Sequence, residues 1–307
     1  MGVVTPEQPR RMRIKVGNGL NLAFAGAPRQ AIRVGAPVRT VALLGADTPH
    51  LRPLLRVEPG DVVAAGSPLF ADRKHPEMLF VSPAAGRVAD ISRGARRGLD
   101  TLAIAIEGDA ALDFAVPPVL TRESLVALLL QAGCWPAFRV RPFGHIPPPG
   151  AIPEAIVLVA LDTRPLAADP AVVIPAYVEW FERGARALRL LCDRVYLCRA
   201  AGAAIAGIEG IETVDVAGTH PAGLASTLIH HLHPVGHGGS AWHIGYQDVI
   251  AIGHLLATGR LWGERIVAFV VPKNPSAFQR TRCAIIAAAS SRTTKCRRTS
   301  SRFPKSR

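Results

Sequence analysis

Apolar residues alternate or run in short blocks through the first third of the chain and recur at helical spacing afterwards, so two regions of different character are expected. Ile14 and Val16 alternate with basic residues, as in an edge strand. Residues 38–44 form an apolar strand after loop punctuation at Gly17-Asn18-Gly19, Gly26-Ala27-Pro28 and Gly35-Ala36-Pro37. Residues 55–91 hold two matched halves of short strands. Pro59-Gly60 sits at the centre of a tight turn, where Pro presets φ and Gly supplies φ > 0. Val62-Val63 and Leu69-Phe70 follow as strand pieces, Arg73-Lys74-His75-Pro76 makes a polar reversal, and residues 78–81 run back. Residues 101–107 alternate cleanly, and the β-rich region is assigned to 12–118.

After Pro117-Pro118 the pattern becomes α/β, over residues 119–268. Thr121 is an N-cap for an apolar helix over 122–131, with Gly133 placed to stop it. Residues 141–143 are extended and lead into a loop over 145–153. Residues 156–161 are a continuous apolar run, as in a strand buried on both faces of a parallel sheet. Asp169-Pro170 opens a helix with the stripe Tyr177, Phe181, Ala185, Leu188, Cys192, which Pro175 bends or splits near Val173. Strands are expected at 195–198 and 213–216. GTHPAG (218–223) turns into a helix that Pro234 ends, and residues 249–258 form the last helix, opened by Tyr246-Gln247-Asp248 and stopped by Gly259. Strands alternating with helices predict a parallel, doubly wound, Rossmann-like sheet.

Composition changes this picture at the ends. The chain has 307 residues and a net charge of +13, but residues 269–307 hold ten Lys/Arg and no Asp/Glu. The rest balances 26 basic against 23 acidic residues, so the folded body gives no reason to expect nucleic acid as a partner. Residues 1–11 are polar and patternless, and Met12, which opens MRIKVGNGLNL, reads as an alternative start to Met1. The tail 269–307 is expected to be disordered and non-native, since like charges repel and its apolar cluster (284–289) is mostly Ala. Five scattered cysteines form no disulfide framework, which points to a reducing compartment. No apolar run reaches the ~18–20 residues that span a bilayer.

Candidate chemistry concentrates in the histidines, seven of ten lying between His220 and His254. His230 and His233 share a helix face with metal-ligand spacing, but no Asp, Glu or Cys lies between Asp215 and Asp248 to complete a site, so surface or packed histidines are expected and no metal. The GTHPAG loop could present amides to a phosphate or a carbonyl, yet it lacks GxGxxG and a P-loop lysine; Gly223 equally serves close packing of helix on sheet. No Ser or Cys is placed with a His and a carboxylate as a nucleophile.

The motif xxVxxGDxVxxGxxL, a hairpin and SPxxGxV resemble the small sandwich of biotinyl and lipoyl carrier domains. Lys74 is the candidate for a carrier lysine, with His75 falling on the modified position in an ungapped alignment. Its flanks lack the residues that modifying ligases read, so an adaptor without a prosthetic group is expected. More stretches together resemble the A subunits of the sodium-translocating NADH:quinone reductases of bacterial inner membranes. They are AGAP (25–28), VALLG (41–45), RVEPGDVVAAGSPLF (56–70), SPAAGRV (82–88), RPF (141–143), LAADPAVVI (166–174), HPAGL (220–224), HPVG (233–236), YQDVIAIG (246–253), TGRL (258–261) and ERIVA (264–268).

That resemblance covers residues 12–268. It implies a barrel-sandwich module, an α/β sheet related to the flavoprotein subunit of respiratory complex I, and a peripheral, cytoplasm-facing subunit. Such a subunit binds no cofactor itself, in a complex that uses NADH, flavins, iron–sulfur centres and ubiquinone. Its partners are the complex's other subunits. His220 and His230 match the family pattern, and His220, Pro221, Gly223 and His230 are the expected quinone or subunit contact. The family continues into a β-grasp domain and a C-terminal part where this chain has its basic tail, and a shift of reading frame after Ala268 is the expected cause. The opposed reading is an independent flavin- or NAD-binding oxidoreductase on the same sheet, which a flavin spectrum would reveal. A nucleic-acid binder acting through the tail would require order there.

Overall fold

A computed structural model describes residues 12–22, 26–49, 51–94, 98–236 and 239–267. The expectations for residues 1–11 and 269–307 lie outside them, as do His50 and His237. The described chain opens with β1 (Met12–Val16). Two small antiparallel sheets follow, built from β2 (Thr40–Leu44), β3 (Pro53–Leu55), β4 (Val62–Val63), β5 (Pro68–Asp72), β6 (Leu79–Val81), β7 (Gly86–Arg93) and β8 (Leu99–Ile106). Their orders are β2-β8-β7-β4 and β3-β5-β6, a barrel-sandwich of the expected kind. Gly60 takes φ +99° in the turn before β4, as the Pro-Gly pair requires. Inward-facing Leu102 and Ile104 of β8 are fully buried, and Phe70 stacks on Phe80 at 4.6 Å between ring centroids.

The second region begins with α1 (Arg122–Gln131). Thr121 accepts a hydrogen bond from Ser124 N–H while the Ser124 hydroxyl bonds Thr121 N–H, and Gly133 has φ +63° just past the end. The next elements are β9 (Arg139–Arg141), β10 (Ala155–Ala160), α2 (Pro170–Ala176), α3 (Val178–Leu188), β11 (Val195–Ala200), β12 (Glu212–Gly218), α4 (Ala225–Leu232), β13 (Ala241–Gly245) and α5 (Tyr246–Thr258). The expected kink is a full break, and it falls at Tyr177, two residues beyond Pro175 rather than near Val173.

Two features of the six-stranded sheet β1-β12-β11-β10-β13-β9 depart from expectation. Met12–Val16, grouped by sequence with the β-rich region, instead pairs in parallel with β12, from Met12↔Val214 to Val16↔Gly218. Its edge position is as expected, but its sheet is the other one; Ile14 is buried there against the α/β core. The opposite edge is antiparallel: β9 pairs with β13, a strand that meets the segment 141–143 expected to be extended only at Arg141, and the sheet is mixed.

Helices cover both faces. One sheet face carries Ile156, Leu158, Leu197, Trp242 and Ile244, packs under α3 and α5, and is continuous with the sandwich core. Gly184 and Gly253 let those two helices touch, since a Cβ at either would overlap Val249 O or Trp180 O respectively. Trp135, Phe138 and Trp242 pack at 5.4–5.7 Å, and Trp135 Nε1–H donates to Pro147 O at 2.8 Å. The other face carries Val157, Cys198 and Val214 under the short α4.

Candidate functional site

In a doubly wound sheet, ligand-binding crevices open at the carboxyl ends of the strands. Here β10 hands over to the loop 161–169, which turns back on itself. Asp162 accepts the Arg164 backbone N–H at 2.9 Å and takes the guanidinium Nε at 3.0 and 3.1 Å, with a further contact from Nη2. The pair is largely enclosed. The bond to Asp162 raises the Arg164 pKa against the opposing effect of burial, so the group stays a cation. Leu166 takes φ 60°, a left-handed conformation that costs a branched side chain about 1 kcal/mol or more. Asp169 caps α2 by accepting Ala171 N–H at 2.9 Å, and its own N–H donates to Gln30 Oε1 at 3.1 Å.

Thr163 ties this loop to the one after β12. Its Oγ1 accepts Gly223 N–H at 3.0 Å and lies 3.1 Å from His220 Nδ1. The segment after β1 closes the group: His220 N–H donates to Asn21 Oδ1 at 3.2 Å, and Leu20 N–H donates to His220 O at 2.9 Å. A cavity of about 460 Å³ opens beside this junction, its walls including Leu22, Pro28, Gln30, Arg164, Leu166 and Ala200. Tyr246, the first residue of α5, is buried; burial, with a smaller push from the Asp162 charge, raises its phenol pKa, so it stays protonated. Among the described lining residues there is no Ser, Cys, Lys or His, so the cavity offers an ion pair, amides and apolar walls.

His220, Pro221 and Gly223 therefore stand at this edge, but not as an anion cradle. The amides of His220, Ala222, Gly223 and Leu224 are taken by Asn21, Thr219, Thr163 and Pro221. Close packing is the role Gly223 fills, since a Cβ would sit 2.7 Å from Thr163 N. His230 is elsewhere. It is exposed in the last turn of α4, its ring 5.4 Å from that of His231. One turn on, His233 Nε2 meets Glu154 at 2.8 Å, just before β10 begins, whereas His220 meets Thr163 just after β10 ends. The two expected contact histidines thus lie toward opposite ends of the sheet.

The other histidines have structural surroundings. The His243 Nε2 is enclosed on β13, and burial, then the charges of Arg141 and Arg139, push its pKa down to about 3. His254 packs edge-on against Trp180 at 4.5 Å. No group of three or more His, Cys, Asp or Glu with metal-binding geometry occurs among the described residues. Lys74 is exposed at the β5–β6 hairpin, its N–H on Asp72 Oδ1 at 3.3 Å, and His75 lies 3.7 Å from Glu77. Sequence reasoning missed Gln30, Thr163, Arg164 and Tyr246. Only the place of residues 162–164, directly after a doubly buried strand, signalled that loop.

Two family models match the chain in order: the NqrA N-terminal barrel-sandwich hybrid domain over residues 14–107 and the NqrA second alpha/beta domain over residues 120–261. Among curated proteins, the A subunit of the Na(+)-translocating NADH-quinone reductase of Pseudomonas aeruginosa (strain UCBPP-PA14) is 45% identical over 266 residues, 84% of this chain and 60% of that protein. The same subunit of the Serratia proteamaculans reductase is 45% identical over 270 residues, 85% of this chain and 60% of its own. That of Neisseria meningitidis serogroup B is 45% identical over 263 residues, with 83% and 59% covered. The chain thus spans about 60% of the length of the curated relatives it matches.

Proposed function

The chain belongs to the NqrA family, and on that premise we propose that it serves as a peripheral subunit of a sodium-translocating NADH:quinone reductase, on the cytoplasmic face of a bacterial inner membrane. The observation that carries this reading is the pair of NqrA domains in order at 45% identity. No helix among the described residues is long and apolar enough to cross a membrane, which suits a peripheral place. The chain's role is assembly and support of quinone reduction, without a redox centre of its own. Expression in a strain lacking its own NqrA, followed by purification through a membrane subunit, tests it. Co-elution and sodium-stimulated quinone reduction are expected; absence of the chain from the purified complex overturns the reading.

Within that role, the edge around His220, Pro221 and Gly223 is the proposed contact for the quinone head group or an adjoining subunit, and His230 a separate subunit contact. Support comes from the cavity beside the Thr163–His220 junction. His220→Ala should lower quinone reduction by about tenfold, the loss of one hydrogen bond to a ligand, while leaving the amount of assembled complex unchanged. Unaltered turnover in assembled complex removes the contact. A stoichiometric flavin spectrum from the isolated chain would instead favour an independent oxidoreductase.

A further inference from the structure

Residues 26–39 link the cavity wall to β2 and form an exposed strap. All of them except Pro28 are exposed, and Val34 is fully so. Across 26–38 the backbone makes one hydrogen bond among the described residues, Ala31 N–H to Arg29 O at 2.8 Å, inside the strap itself. Composition is as one-sided as exposure. No Asp or Glu occurs from Met12 to Val41. Arg29, Arg33 and Arg39 stand at odd positions, with Ala31, Gly35 and Pro37 between them, and Ile32, Val34, Ala36 and Val38 at even ones, with a bend at Ala36. The even side is apolar and the odd side carries the three arginines, as suits an extended segment with two unlike faces, and no strand of this chain lies beside residues 26–38 among the described residues.

We infer that the strap is a docking surface for an acidic, extended segment of another polypeptide, which pairs with its free backbone groups and sets carboxylates against the three arginines. Strand addition supplies main-chain hydrogen bonds, and alternate side chains supply selectivity. An anionic bilayer would answer the arginines but not the amides, since unpaired backbone groups are costly in hydrocarbon. The strap carries Gln30, which holds Asp169 N–H, so its occupant bears directly on one wall of the cavity. This inference names a surface for the assembly reading above. If strap variants still co-elute with membrane subunits, the surface is wrong and that reading stands.

Amide hydrogen exchange of the full chain tests it, with a synthetic ten-residue peptide of alternating Val and Glu as probe and its Val/Gln counterpart as control. The acidic peptide should slow exchange at residues 30–36 and 38, Pro37 having no amide hydrogen, and 0.5 M salt should weaken that protection. The Arg29→Gln, Arg33→Gln, Arg39→Gln triple variant should weaken peptide binding about tenfold, and Val34→Asp should also weaken it, with melting unchanged because these side chains are in solvent. Absence of protection, or equal protection by the Gln peptide, overturns the inference. So does binding to phosphatidylglycerol vesicles where the acidic peptide gives none, which would make the strap a membrane contact.

Discussion

In the sandwich, strands that pair are mostly close in sequence: β6 returns on β5 across residues 73–78, and β8 returns on β7 after a short connection. In the mixed sheet, β1 lies beside β12 some 200 residues later, and β9 beside β13 about 100 residues later. The first region is shaped by turns and the second by burial. They are nevertheless one body, because the apolar cluster under α3 and α5 runs without interruption into Phe70, Leu102 and Ile104 of the sandwich. A turn residue should therefore matter locally and modestly. A buried polar contact between distant strands should matter globally.

The largest effect is expected at Arg199, buried on β11, which donates to Asp215 of β12 at 2.8 Å and to Ile205 O. Arg199→Ala strands the Asp215 carboxylate and should cost about 3–5 kcal/mol. Arg199→Met with Asp215→Leu should recover most of that, since an apolar pair of similar volume leaves no buried charge. Denaturant unfolding of both variants checks it; equal destabilisation would show that the sheet needs the ion pair itself.

Next comes acid. The folded His243 pKa is depressed to about 3, so between the ordinary value of 6.5 and that figure the unfolded chain binds a proton that the folded chain refuses. Stability is full above about pH 6.5 and falls as pH drops, by at most about 1.4 kcal/mol per unit. Melting followed from pH 7 to 5 should lose about 2 kcal/mol, and His243→Gln should flatten that limb. A variant whose acid slope matches the parent would place the sensitivity elsewhere.

The smallest effect belongs to the sandwich. Gly60 has φ +99° with open space around it, so Gly60→Ala meets only the backbone penalty of about 1–2 kcal/mol. Hydrogen exchange should show the loss centred on residues 57–63 and 86–88, where Gly60 N–H donates to Val88 O. Loss of protection spread evenly over both regions would break the distinction between them.

Much of this was legible in the residues. Thr121, Gly133, Asp169-Pro170 and Gly259 mark helix ends by chemistry confined to a few neighbours, and each does so in the fold. Residues 55–91 announce their sandwich through Pro-Gly and Ser-Pro turns. The turn in GTHPAG placed His220 on a loop entering a helix, where it stands. Sequence could not say that α4 carries His230 toward the other end of the sheet. Nor could it show that Thr163 Oγ1 takes the Gly223 amide, or that Met12–Val16 leaves its neighbours for β12. Caps, turns and alternation act within a few residues and are written in the local order of side chains. Strand partners and loop-to-loop hydrogen bonds are set by which buried surfaces and unpaired amides meet across the fold, and those meetings exist only once the chain has closed on itself.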